Sequence, residues 1–348
     1  MKNWWKIVGV LLVLYTLTVG MLVPLKPGIP EVTPTNGFTG QTVTVDITGY
    51  NTHYGQAASS RVWLKMGDRS LAAAKVQAVN DNLLKATFDL PKYLPSDDKV
   101  VPFSVIVDNE MDGASVLPNA IFITQQSVQK TMGEAVWENT PIANLHELKS
   151  MAFPFRNILA ETIRNTYFHV SLWFGMFLLL AASVYYSFKY LRHFRIEDDL
   201  WSKALTAIGV VFGLLGCVTG AIWAKHTWGT YWTTDVKLNM AAVGMLIYLA
   251  YFILRGSFQD ETKSAKLGAV YNIFAFAALI PLLFVIPRLT DSLHPGNGGN
   301  PALGGEDLDN TMRMIFYPSI IGWTLIGLWL ATLLYRVDIL RHRLLDLE

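Results

Sequence analysis

The chain has 348 residues, of which 52% are hydrophobic and only 16% charged, and its mean hydropathy of +0.32 marks it as largely lipid-embedded rather than an ordinary soluble protein. A net charge of +1, with no basic run outside short loops, excludes the electrostatic footprint of a nucleic-acid binder. The single cysteine, Cys217, excludes an internal disulfide and a cysteine zinc cluster.

Taken in order, the chain opens with an apolar run from Ile7 to Val23, preceded by Lys2 and Lys6 and followed by Pro24, Lys26, Pro27 and Gly28. No small-residue cleavage site follows it, so residues 1–24 read as an uncleaved first transmembrane helix; a cleaved signal would leave five spans instead of six. Residues 25–124 change to alternating β-branched and polar residues. Thr42 to Ile47, Arg61 to Lys65, Leu83 to Leu90, Phe103 to Val107 and Ile121 to Thr124 read as strands separated by Gly, Pro, Asn and Asp, which predicts a small β-sandwich. Its opening P-x-x-G-x-x-G-x-x-V-x-V-x-x-x-G, from Pro34 to Gly49, resembles IPT/TIG immunoglobulin-like domains, which implies a binding or spacer module. His53 reads as a solvated loop residue.

Residues 125–166 turn amphipathic, with Met151, Phe153, Phe155, Ile158, Leu159 and Ile163 apolar, and predict a helical connector along the membrane interface. His146 lies in it without a partner that the sequence can name. In residues 167–348 five apolar segments follow: Tyr167 to Phe188, Ala204 to Trp223, Met240 to Leu254, Leu267 to Ile286 and Ile315 to Tyr335. The third reaches across a hydrocarbon core of about 30 Å only if its flanks contribute. The fold class expected is therefore mostly α, a six-span helical membrane protein with a small extracytoplasmic β-sandwich inserted after the first span.

Orientation follows from the short loops. Lys2, Lys6, Lys189, Arg192, Arg195, Lys203, Arg255, Lys263, Lys266, Arg336, Arg341 and Arg343 fall on one side, against Lys225, Lys237, Arg288 and Arg313 on the other. This predicts both termini in the cytoplasm and the β-domain, the stretch Thr219 to Leu238 and the loop from Pro287 to Thr311 outside.

Thr219 to Leu238 packs Trp223, Trp228, Tyr231 and Trp232 around Gly229, with Asp235 just beyond. Trp and Tyr concentrate at membrane interfaces in any case. The order W-G-x-x-W-x-x-D-x-x-L from Trp228 to Leu238 resembles the tryptophan-rich "WWD" signature of cytochrome c maturation proteins, and most closely the CcmC family (haem exporter protein C). Family members usually carry Trp where this chain has Tyr231 and Thr234, and only a short first outer loop where it has the β-domain. CcsA-type haem and cytochrome c synthases share the aromatics but usually continue D-P-K-E, where this chain has Asp235, Val236, Lys237 and Leu238.

The resemblance implies haem handling at the outer face of the inner membrane, delivery to the haem chaperone CcmE, and partnership with CcmD and the ABC transporter pair CcmA and CcmB, to which ATP hydrolysis would belong. With no C-x-x-C-H motif, the group would be non-covalent haem b. His169, in N-T-Y-F-H-V, and His294, in L-H-P-G-N, stand on the expected outer side, and a neutral imidazole suits an axial position. The family pattern places one histidine at each corresponding position. His226 is a competitor that the pattern does not require.

Trp223, Trp228, Tyr231 and Trp232 could stack on a porphyrin, Gly229 would permit close approach, and propionates would lie near Lys225, Lys237 or Arg288. Asp235 either caps the helix starting near Val236 or fixes the loop. Arg288 and Asp291 could orient His294, and the glycine-rich run from Gly296 to Gly305 could open and close over a ligand. Gly213, Gly216 and Gly220 read as a helix-packing face. No phosphate-binding glycine loop or nucleophile triad is apparent, so the chain would bind and orient rather than hydrolyse. A haem-dependent electron-transfer subunit would need facing mid-span histidines, and a transporter ionisable groups at mid-depth.

Overall fold

The computed structural model describes residues 3–148, 150–157, 159–294 and 308–345. The Gly296 to Gly305 run lies outside them. The chain divides into two units, Pro24–Ala160, and Met1–Val23 with Glu161–Glu348.

The first unit is the β-sandwich. Strands β1 (Gly28–Thr33), β3 (Thr42–Tyr50), β7 (Leu83–Asp89) and β6 (Lys75–Asn80) form one sheet, in the order β1-β3-β7-β6. The other is β2-β9-β8-β4-β5, built from β2 (Asn36–Phe38), β9 (Gly113–Thr124), β8 (Val100–Asn109), β4 (Ser60–Met66) and β5 (Arg69–Ala72). Alternation decides what is buried: Val45, Ile47, Leu84, Ala86 and Phe88 from one sheet meet Val62, Leu64, Phe103, Val105, Val107, Ile121 and Ile123 from the other.

Residues 125–166 do not form one continuous amphipathic helix: among the described residues, only α2 (Lys130–Val136) and the 3-10 turn Ala160–Tyr167 are helical. Trp137 stacks on Phe103 with ring centres 6.3 Å apart, Phe155 on Tyr50 at 5.3 Å, and the Phe153 carbonyl accepts from Lys26 N–H at 2.7 Å. Their apolar faces are buried in protein rather than lipid, and Pro141 and Pro154 forbid a continuous helix. His146 finds a partner here: its Nδ1 lies 2.9 Å from an oxygen of buried Asp108, which also pairs with Arg61. His53, half exposed, is likewise held, with Nδ1 2.9 Å from Asp112.

Among the described residues, the second unit has six helical segments long and apolar enough to cross a membrane. They comprise α1 (Trp4–Leu22), the 3-10 turn Ala160–Tyr167 with α3 (His169–His193), α4 (Ile196–Trp228), α5 (Val236–Gly256), α6 (Glu261–Ile280) with α7 (Ile286–Leu289), and α8 (Asn310–Leu345). At 21 residues α5 is longer than the apolar run alone suggests, and at 1.5 Å per residue it spans about 30 Å. A π-turn at Pro281–Val285 joins α6 to α7, where Pro281 has no N–H to give the helix ladder.

Leu179, Leu180, Phe212, Met245, Tyr248 and Leu279 interlock four of the spans. Within this apolar core Asn272 of α6 donates to Ser183 at 2.9 Å and Ser187 at 3.0 Å, and Ser187 meets Ser202 of α4 at 2.8 Å. Such bonds fix the rotation of helices that apolar packing alone leaves free to slide. Arg255 of α5 holds Asp199 of α4 through two contacts of 2.6 Å.

Candidate functional site

The start of α3, the end of α4, the start of α5 and the turn after α7 meet at one end of the second unit, because the helices alternate in direction. His169 opens α3, and its Nδ1 lies 2.9 Å from the Gly216 carbonyl of α4 and 3.2 Å from Thr219 Oγ1. A carbonyl oxygen only accepts, so Nδ1 carries the hydrogen and the neutral ring keeps its lone pair on Nε2. The ring fits because Gly220 lies beneath it: a Cβ there would stand 2.7 Å from His169 Cε1. The glycines of α4 thus serve packing, as their spacing predicts, and two of them also seat this histidine.

α4 runs five residues beyond the predicted end of its apolar segment at Trp223, so Trp228 is a helical rather than a loop residue. It stops at Gly229, whose φ of 80° is the left-handed conformation glycine adopts without a steric penalty. Gly229 therefore ends a helix; among the described residues, nothing beyond its chain neighbours and its own helix lies within 4 Å of where its Cβ would be. Trp223 is buried, and its indole N–H donates to Thr162 Oγ1 at 3.2 Å. Tyr231 and Trp232 are 61% and 44% exposed and form the outer rim of the turn, where Lys225 Nζ lies over the Tyr231 ring. His226, Arg288 and Asp291 are exposed.

Asp235 caps α5 by accepting the Lys237 N–H at 2.9 Å on Oδ1. Oδ2 accepts from Ser292 Oγ at 2.8 Å and from Leu293 N–H at 2.9 Å, which brings the turn after α7 over the end of α4. His294 stands on that turn. Its ring centre is 6.2 Å from His169, 5.5 Å from Trp223 and 6.3 Å from Trp228, and the two indoles meet edge to face at 5.0 Å. Of the sequence-predicted residues, the structure gathers His169, His294, Trp223 and Trp228 in one cluster and ties Asp235 to it. Thr162, Thr219 and Ser292 went unrecognised in the sequence, since isolated hydroxyl residues carry no periodic or motif signal.

The separation of the two imidazoles leaves room for one metal atom shared between them. A metal atom bonded at about 2 Å to one nitrogen of each imidazole holds the ring centres about 6 Å apart, the spacing observed here. Among the described residues no group of three or more His, Cys, Asp or Glu is placed to hold a metal ion. Two imidazoles can complete the coordination of an iron already bound by four pyrrole nitrogens.

The family model described as "CcmC: Heme exporter protein C" matches residues 148–347. The chain belongs to the CcmC family. Its similarity to "Heme exporter protein C" of Bradyrhizobium diazoefficiens is 29% identity over 154 residues, covering 43% of this chain and 56% of that protein. With the Escherichia coli K12 protein of the same name it is 26% over 138 residues, covering 40% and 54%. "Cytochrome c biogenesis protein CcsA" of Pelargonium hortorum is 35% identical over 95 residues, or 27% of this chain and 30% of that protein. The chain spans about half the length of the haem exporter relatives it matches. All the β-strands described above precede the stretch matched by the CcmC model, so the sandwich is an addition to the matched region.

Proposed function

We propose that this CcmC-family protein binds haem b non-covalently at the outer face of the inner membrane and delivers it to a periplasmic haem chaperone, CcmE, for cytochrome c assembly. The observation that supports the reading most is the convergence of His169 and His294, from elements far apart in sequence, beside Trp223 and Trp228. The iron chemistry belongs to the haem, while the protein binds, orients and shields it.

In this reading His169 presents Nε2 from a fixed tautomer, and His294 faces it from the opposite side. Trp223 and Trp228 supply apolar faces, Tyr231 and Trp232 a rim at the exposed edge, Gly229 the turn that aims that rim, and Asp235 the anchor of the His294 turn. Lys225 or Lys237 are the cations nearest the rim in sequence, suited to propionates. CcmD and the transporter pair CcmA and CcmB are the expected partners, with ATP hydrolysis theirs. Arg192, Arg195, Lys203, Lys263, Arg341 and Arg343 occupy the helix ends opposite the site, which supports cytoplasmic termini and an outer location for the site and the β-sandwich.

The CcsA similarity favours a second reading, a haem and cytochrome c synthase subunit, which would retain the same site and add a thioether-forming step with an apocytochrome. Purification from haem-replete cells tests the first reading: a Soret band is expected, with haem transfer to CcmE in mixing experiments. A protein without a Soret band contradicts haem binding, and transfer to apocytochrome in place of CcmE favours the second reading.

A further inference from the structure

We infer that Asn239 is a positioning residue for Trp232, acting through the indole N–H, and that it orders the exposed rim of the turn before a ligand arrives. The inference rests on the proposal that haem is held at this end of α4.

Asn239 is the fourth residue of α5. Its Oδ1 accepts the Trp232 indole N–H at 3.2 Å, and its Nδ2 donates to the Thr234 carbonyl at 3.2 Å. An indole nitrogen only donates and a backbone carbonyl only accepts, so the two partners together fix which way the amide faces. Aspartate would accept from the indole but repel the Thr234 carbonyl; the position calls for an amide. The Asn239 backbone N–H donates in turn to the Asp235 carbonyl at 3.1 Å, the first bond of the helix. The side chain therefore refers both Trp232 and the end of the turn to a transmembrane helix.

Tyr231 is braced from the other side. Lys225 of α4 donates to the Gly229 carbonyl at 2.8 Å, and its Nζ lies 5.6 Å from the centre of the Tyr231 ring. The two exposed aromatics are thus tied to the two helices that the turn joins. Trp232 is 44% exposed, and an indole exposed to that degree without a tether samples several rotamers, a motion that any ligand settling against it must stop. Ordering the ring in advance removes that cost from binding and slows ligand loss.

Two variants of the full chain in detergent act on the two ends of this one bond. Asn239→Leu removes the acceptor, and Trp232→Phe removes the donor while keeping an aromatic ring. In haem-free protein labelled with 5-fluorotryptophan, the Trp232 resonance, identified by its loss in Trp232→Phe, should shift and narrow in Asn239→Leu. In haem-loaded protein each variant should lose haem to excess apomyoglobin about threefold faster, and the double variant no faster than Trp232→Phe alone. The Soret position should stay that of the wild type in all three, since no ligand of the iron is changed.

An unmoved Trp232 resonance in Asn239→Leu overturns the inference, as does a moved resonance with unchanged haem loss. A double variant in which the two effects multiply also overturns it, because Asn239 would then act on α5 and not through Trp232. Should the wild type show no Soret band, the haem reading itself falls and the role toward haem with it, while the fluorine resonance still decides whether Asn239 orders Trp232.

Discussion

Tyr15 on α1 donates its hydroxyl to the Met314 carbonyl of α8 at 3.2 Å, and Pro318 is the reason that carbonyl is open. A proline inside a helix has no N–H for the carbonyl four residues earlier, and in lipid no water replaces it. Tyr15→Phe should therefore destabilise the protein by about 0.6–1.7 kcal/mol, measured by unfolding in mixed micelles. In Pro318→Ala, where the helix supplies its own donor, the same change should cost less. Equal losses in both backgrounds would contradict the assignment.

The aromatic residues should not be equivalent. Trp223 and Trp228 contact His294, while Trp232 is on the exposed rim with its indole N–H on Asn239 Oδ1. Trp223→Ala and Trp228→Ala should lower haem occupancy strongly, and Trp232→Ala less, with membrane insertion intact in all three. An aromatic belt that serves only to anchor the protein would leave occupancy alike in the set.

In the sandwich, Asp108 is buried, which by itself raises its pKa, but hydrogen bonds from Arg61 and His146 outweigh burial and hold it below the usual carboxylate value. Because the folded pKa is the lower one, its contribution is complete above the ordinary aspartate range of about 4. It is lost as pH falls from there through the folded value. Asp108 Oδ1 accepts the His146 N–H at 2.7 Å, so exchange protection at that amide, corrected for intrinsic rate, should fall across this acid window. It should be low at every pH in Asp108→Ala, which has no acceptor, and level with pH in Asp108→Asn, which keeps an acceptor that does not titrate. Protection that stays level through the window would contradict the account.

The sequence shows most clearly what repeats locally. The apolar runs and the alternation in β3, β4, β7, β8 and β9 are visible because one face of each is buried; β2 and β6, short or on a sheet edge and largely exposed, carry no such pattern. The apolar residues of 125–166 are real, but Trp137 packs on the sandwich core and Phe153 is buried without forming part of a helical face, and helical period alone does not say what a face will meet. Asp235 shows the same limit within the site. Its role as cap is written in its position before Val236, whereas its bond to Ser292 joins residues 57 apart and leaves no local trace.

The pairing of His169 with His294 is the central claim, and the optical spectrum of the purified single and double alanine variants tests it most directly. His169→Ala and His294→Ala should each move the Soret and α bands, with added imidazole restoring part of the binding; the double variant should lose more haem than either, and His226→Ala should leave the spectrum unchanged. A double variant with the wild-type spectrum, or loss confined to His226→Ala, would contradict the pairing and place the axial ligand elsewhere on the tryptophan-bearing end of α4.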